Sequence, residues 1–110
     1  MLLITNIYKN EFIPTEFHLE QNYPNPFKGK TTIIYGVPYK TKVIIIVINT
    51  EGDVVEKLIS KEQDAGIYEV EFNAVSSNSG FVRNLPVGAY YYQLIADKFS
   101  ETKKMELIKL

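Results

Sequence analysis

Any chemistry in this chain must come from a narrow supply: one histidine, thirteen carboxylates, eight tyrosines and no cysteine in 110 residues. The missing cysteines remove thiolate nucleophiles, disulfides and thiolate zinc sites. Acid–base catalysis needs convergent groups with tuned pKa values. His18 lies between Phe17 and Leu19 on the polar phase of a strand-like alternation, so it reads as a solvated side chain, with no second histidine to join it as ligand or base. Glu69 and Glu71 stand two residues apart, roughly 7 Å by strand rise, a separation that inverting glycosidases also use. Every wet strand face with two glutamates has that spacing, so they read as a solvent face. Asn49, Glu51 and Asp53 are oxygen-rich like a calcium loop, but they surround Gly52 and supply too few carboxylates, which leaves turn chemistry as their explanation. Tyr90, Tyr91 and Tyr92 invite sugar stacking; alternation sends Tyr90 and Tyr92 inward and leaves Tyr91 alone, a cross-strand contact rather than a platform. The residues therefore predict no enzyme, no catalytic group, no metal and no cofactor.

Twelve basic residues against thirteen acidic ones give a formal charge of −1, which provides no general attraction to nucleic acid or anionic membrane. With 45% apolar and 23% charged residues the chain has material for one core. Its start, Met1 to Lys9, lacks a basic leader and reaches a lysine before a signal-peptide core can form, and no stretch is apolar enough for a spanning helix. An export signal, if there is one, is expected on a longer parent chain. Residues 1–12 read as a linker or the end of an upstream domain, and 13–110 as the domain proper.

The dominant period is two, and no capped helical pattern appears. Phe17 to Glu20 reads as a strand, followed by a rigid corner at Asn22-Tyr-Pro-Asn-Pro-Phe27, where two prolines fix φ and remove donors. Thr31–Val37 follows, with Ile33, Tyr35 and Val37 on one face. Val43–Ile48 is an unbroken β-branched run that predicts a central strand covered on both sides. It is joined to Val54–Ser60 by a turn at Glu51-Gly52-Asp53. Ile67–Phe72, Ala89–Ala96 and Phe99–Leu110 complete seven strands, while the polar stretch Asn73–Asn84 predicts a flexible surface loop. This pattern specifies an all-β, immunoglobulin-like antiparallel sandwich of about seven strands. Its expected core is Leu19, Ile33, Tyr35, Val43, Ile45, Val47, Val70, Phe72, Tyr90, Tyr92, Leu94 and Leu107. Ile34, Ile44 and Ile46 fall on the other phase and predict an exposed apolar patch, suited to self-association as a homodimer or to docking on a parent domain, with residues 1–12 as an alternative cover. Lys40 and Lys42 flank the apolar run as gatekeepers.

Phe17-His-Leu-Glu-Gln-Asn-Tyr-Pro-Asn-Pro-Phe27, Thr31-Thr-Ile, Val47-Ile-Asn-Thr-Glu-Gly-Asp-Val-Val55, Leu85-Pro-Val-Gly-Ala-Tyr-Tyr-Tyr-Gln-Leu94 and Thr102-Lys-Lys-Met-Glu-Leu-Ile-Lys109 together resemble the C-terminal sorting domains of the type IX secretion system (type A), from about residue 13 to 110. Lys28-Gly29-Lys30 replaces a commoner Asn-Pro-Ser type of corner, and Asn49 stands where that family often has aspartate. The resemblance implies a non-enzymatic address on a covalently linked upstream cargo. Its partners would be the outer-membrane translocon and a sortase-like peptidase of a Gram-negative bacterium, and its destination the cell surface or the medium, without insertion into a membrane. The chain is also similar to the immunoglobulin-like half of the flagellar hook-capping protein, so a structural or surface-binding module, for carbohydrate or adhesion, is the alternative. The closing motifs predict recognition through Pro86, Gly88, Tyr90, Lys103, Lys104 and Lys109, with the lysines on the outer face of a last strand whose edge is open. Such lysines also guard an edge against unwanted pairing.

Overall fold

Alternating side chains need a second layer to bury their apolar phase, and the strands provide it in two sheets. The computed structural model describes residues 3–6, 11–78 and 81–109. In chain order the strands are β1 (Leu3–Asn6), β2 (Glu11–Pro14), β3 (His18–Leu19), β4 (Lys30–Val37), β5 (Thr41–Ile48) and β6 (Val54–Gln63). They continue as β7 (Gly66–Asn73), β8 (Val75–Asn78), β9 (Phe81–Asn84), β10 (Gly88–Ala96) and β11 (Phe99–Leu107). A three-stranded sheet, β3-β4-β7, faces a four-stranded one, β11-β10-β5-β6, with every neighbour antiparallel. These seven strands form the expected sandwich, in the order A-B-E against G-F-C-C′ of the immunoglobulin lettering. Two hairpins, β1-β2 and β8-β9, are added to it. No helix among the described residues is long and apolar enough to cross a membrane.

The core contains the expected residues apart from Val70, which is half-buried against it. Phe27, Val37, Ala74, Ala96 and Met105 join them. Buried tyrosines carry their polar ends across the layers. The Tyr35 hydroxyl donates to Gln63 Oε1 at 2.8 Å, from β4 to β6, while its ring stacks on Tyr68 at 5.5 Å. At the far end of the sandwich Phe17 packs on both Tyr39 and Phe99, each at 5.3 Å, and the Tyr39 hydroxyl donates to Asp97 Oδ2 in the β10–β11 turn.

Three expectations change. β5 is central within its sheet, but only one side is covered: Val43, Ile45 and Val47 are fully buried, whereas Ile44, Ile46 and Ile48 are half-buried on the outer side. A two-layer sandwich gives each sheet one dry face, so a strand apolar on both phases keeps one of them in contact with water. Asn73–Asn84 is not a loop but the β8–β9 hairpin, with Val75 opposite Asn84 and Asn78 opposite Phe81. Ladder bonds are made by the backbone, so a serine-rich segment pairs well when a β-prone partner such as Phe81-Val82-Arg83 lies opposite. Finally, Ile34 belongs to the three-stranded sheet, apart from Ile44 and Ile46. The β1–β2 hairpin straddles the boundary expected at residues 12 and 13, and its Pro14 lies over Gly36, where a Cβ would meet the proline Cγ at 2.9 Å. Its described part therefore lies by the three-stranded sheet, beside β4 and β7, rather than over β5.

Candidate recognition surface

β10 begins at a corner built by its own tyrosine. Leu85 donates its N–H to Ala74 O at 3.0 Å, and Gly88, at φ 135°, turns the chain into the strand with a backbone that L side chains rarely adopt. Two residues later Tyr90 enters the core at 5% exposure, and its hydroxyl donates back to Pro86 O at 2.6 Å. This is the tyrosine corner of immunoglobulin-like folds. Burial raises the Tyr90 phenol above its ordinary pKa. The corner holds Leu85–Val87 as a ridge, with Val87 at 60% exposure. A groove of about 420 Å³, walled by Val75, Leu85, Val87, Ile108 and Lys109, lies on one side. Another of about 310 Å³, walled by Asn49, Glu51, Val55 and Pro86, lies on the other.

The last strand, β11, is hydrogen-bonded on its outer edge as well, in its lower half only. Phe27 N–H donates to Glu106 O and Ile108 N–H to Phe27 O, both at 2.9 Å, a short parallel bridge between Phe27 and Leu107. Asn25 Oδ1 accepts Glu106 N–H at 3.0 Å, and Gln21 Nε2 donates to Lys104 O at 2.7 Å. The clamp is anchored inside by Phe27, edge-on to Phe72 at 6.1 Å, and by the fully buried Tyr92. The Tyr92 hydroxyl donates to Glu20 O at 2.6 Å and accepts Asn22 N–H at 2.7 Å. Burial pushes its pKa up to about 12. Prolines 24 and 26 have no N–H to give, and asparagine amides do the bonding around them: Asn22 Nδ2 reaches Thr31 Oγ1 at 3.0 Å and Pro24 O at 3.2 Å.

Alternate backbone groups of a strand face the same edge. Lys104, Glu106 and Ile108 meet the clamp, so Ser100 and Thr102 point to the same side above it, and there the edge is open among the described residues. The expectation of an open edge along the whole strand is thus corrected, since its lower half is occupied.

The expected recognition residues divide accordingly. Pro86, Gly88 and Tyr90 meet in the corner, with Tyr90 interior rather than displayed. Lys109 lies across the larger groove from Val87. Lys103 and Lys104 lie higher, opposite Tyr92 and Tyr91, and so on opposite faces. The expectation of lysines on the outer face holds for Lys104 alone: Lys103 shares the inner phase of Met105 and Leu107 and reaches Glu101 at 3.3 Å. An inward-phase ion pair on an edge strand is one of the ways in which sheets resist unwanted pairing.

Elsewhere the acid–base candidates fall on the wet outer face of the three-stranded sheet. His18 Nε2 is 3.4 Å from Glu20, and Glu71 is 3.6 Å from Lys30, with Glu69 and Glu71 both exposed. Asn49 Oδ1 accepts the N–H groups of Glu51 and Asp53 at 2.9 and 3.0 Å, the turn role expected of it. No cluster of three or more potential metal ligands occurs among the described residues. Gln21, Asn22, Asn25 and Arg83 are the residues that sequence reasoning missed. Arg83 pins the β8–β9 hairpin, bonding Glu56 Oε1 at 2.6 Å and Asn73 O, with its guanidinium 5.5 Å from the centre of the Phe72 ring. The signal for the asparagines is their place in a proline-rich corner with few backbone donors, where the Asn22 amide donates to Pro24 O and Asn25 Oδ1 accepts from Glu106 N–H.

Among known proteins, the family described as "Secretion system C-terminal sorting domain" matches residues 21–108. No curated protein matches the chain. Among solved structures, dimeric latent PorU from Porphyromonas gingivalis is similar over 82% of this chain and 9% of that one, at 15% identity and a TM-score of 0.62. A likeness at that identity speaks for the fold. The alkylpurine DNA glycosylase AlkC of Pseudomonas fluorescens, bound to DNA containing an abasic site analogue, aligns over 84% of this chain and 30% of that one, at 12% identity and a TM-score of 0.43.

Proposed function

The chain belongs to the secretion-system C-terminal sorting domain family, and from that premise we propose that its address is read at the closing end of the sandwich: the Leu85–Gly88 ridge, its two grooves and the open upper edge of β11. The domain is a type IX sorting signal, and its route leads to the cell surface. It carries no reaction of its own. Its task is to hold a shape by which a covalently linked cargo is recognised, with a sortase-like peptidase acting on the chain after passage. The single observation that supports this reading is the corner itself. The Tyr90 hydroxyl, the Pro86 carbonyl and the Gly88 backbone fix the corner, which displays the side chains of Pro86 and Val87 beside Lys109. The upper edge offers main-chain groups for strand addition, with Lys104 beside it.

The test fuses the full chain behind a periplasmic reporter in a host with a working type IX system. Removing residues 99–110 would also remove Met105 and Leu107 from the core, so point changes are the cleaner variants. Val87→Asp and a Lys104→Glu/Lys109→Glu double variant are expected to fold, by circular dichroism and unchanged melting, and to leave the reporter in the periplasm. Export of both variants at the level of the intact fusion overturns this placement of the address.

A further inference from the structure

The outer face of the four-stranded sheet has an anatomy that extends beyond the proposed address and shares only Lys104 with it. Its rows follow from the register. Ser100, Ile95, Ile44 and Ser60 form one row across β11, β10, β5 and β6. Thr102, Gln93, Ile46 and Lys57 form the next, and Lys104, Tyr91, Ile48 and Val54 the third. The two central columns, Ile95-Gln93-Tyr91 and Ile44-Ile46-Ile48, make an apolar stripe two strands wide, interrupted once by Gln93. By strand spacing and rise it measures roughly 5 by 13 Å between backbones. The flanking columns are mostly polar. An apolar centre inside a polar rim is how protein interfaces are built.

The charge of the rim selects the occupant. Lys42, Lys57 and Lys104 are exposed on this face and make no ion pair among the described residues. Of the acidic groups on the same phase, Glu62 is engaged by Lys40 at 3.7 Å, which leaves Glu106. The face is thus basic in a chain whose net charge is −1. A second copy related by a two-fold axis would set lysines against lysines. Insertion into a lipid surface needs apolar side chains that protrude, and the isoleucines of the stripe are half-buried among their neighbours. The width suits one helix, whose apolar residues at i, i+3 or i+4 and i+7 run about 10 Å.

We infer that this face docks an amphipathic helix of a partner protein, its apolar stripe lying along Ile44–Ile48 and Tyr91–Ile95 and flanked by carboxylates that pair with Lys57 and Lys104.

The experiment titrates the isotopically labelled full chain with a synthetic amphipathic helix, leucines at helical spacing and glutamates on both flanks. A counterpart with lysine flanks is the comparison. Binding of the glutamate peptide with amide shifts centred on Ile44, Ile46, Ile48, Tyr91 and Ile95 is the expected result. A Lys57→Glu/Lys104→Glu variant should weaken it by about tenfold, because two rim ion pairs are reversed. Glu69→Lys, on the opposite outer face, should leave it within about twofold. The proposal is overturned if the glutamate peptide fails to bind, if both peptides bind equally, or if shifts centre elsewhere. Recruitment to phosphatidylserine vesicles, or self-association in sedimentation without any peptide, would assign the face to lipid or to a second copy and overturn it as well. None of these outcomes depends on where the export address lies.

Discussion

The two halves of β11 are one continuous strand with opposite surroundings. Below Lys104 it is bonded on both edges, to β10 and to Gln21–Phe27, and it buries Met105 and Leu107. Above, it has β10 alone among the described residues, and between Phe99 and Met105 its inner phase carries the Glu101–Lys103 pair instead of a buried apolar side chain. The difference teaches that the closing motif is not one functional unit. Its lower part is engaged in closing the sandwich, whereas its upper part and the neighbouring ridge keep the exposed groups on which the proposed address rests.

The largest expected effect comes from breaking the lower half. Phe27→Ala removes a fully buried ring that anchors the clamp, and should cost about 3–5 kcal/mol in urea unfolding. A loss below about 1 kcal/mol would mean that the clamp merely rests on the edge. Tyr92→Phe comes next: without the hydroxyl, Glu20 O and Asn22 N–H lose their buried partner, at about 1–3 kcal/mol. The same group predicts a pH dependence. Its pKa is raised by burial from 10.0 to about 12, so above pH 10 the unfolded chain ionises first. Its stabilising contribution is complete below pH 10 and is lost as the pH rises towards 12. Tyr35, also raised by burial, acts in the same direction, so Tyr92→Phe should flatten the alkaline decline without abolishing it.

Asn25→Ala, which removes one bond to an exposed strand edge, should cost about 0.5–1.5 kcal/mol and speed hydrogen exchange at the Glu106 amide towards the rate of the open Thr102 amide. Equal exchange at those two amides in the unaltered domain would erase the contrast between the halves. Smallest of all, Lys103→Ala breaks a partly exposed pair and should change stability by no more than about 0.5 kcal/mol in the same unfolding assay.

The seven sandwich strands and nearly all of the core were legible because period-two alternation is imposed by the strand itself. Ile33, Ile45 and Leu94 have no other phase in which to be dry. Side-chain bonds such as Asn25 to Glu106 and Gln21 to Lys104 join residues 81 and 83 positions apart, and no local pattern encodes such a meeting. The corner lies between these cases: its motif points to Pro86, Gly88 and Tyr90, and the structure adds the tyrosine-to-carbonyl bond through which they hold Val87. A run of lysines in sequence suggests one charged surface, but adjacent residues on a strand face opposite ways, which sends Lys103 to the inner phase and Lys104 to the outer.

The clamp also has a consequence in time. Its first half is synthesised some eighty residues before the strand that it grips, so the contacts that close the sandwich are among those of longest sequence separation in the chain. Loop closure on that scale is slow and is rewarded only at the end. Until Met105 and Leu107 are available, Phe27 and Tyr92 lack the strand that completes their layer. The closed clamp therefore reports that the chain has been made as far as Ile108: a nascent copy that stops before Met105 has no strand for Gln21–Phe27 to grip.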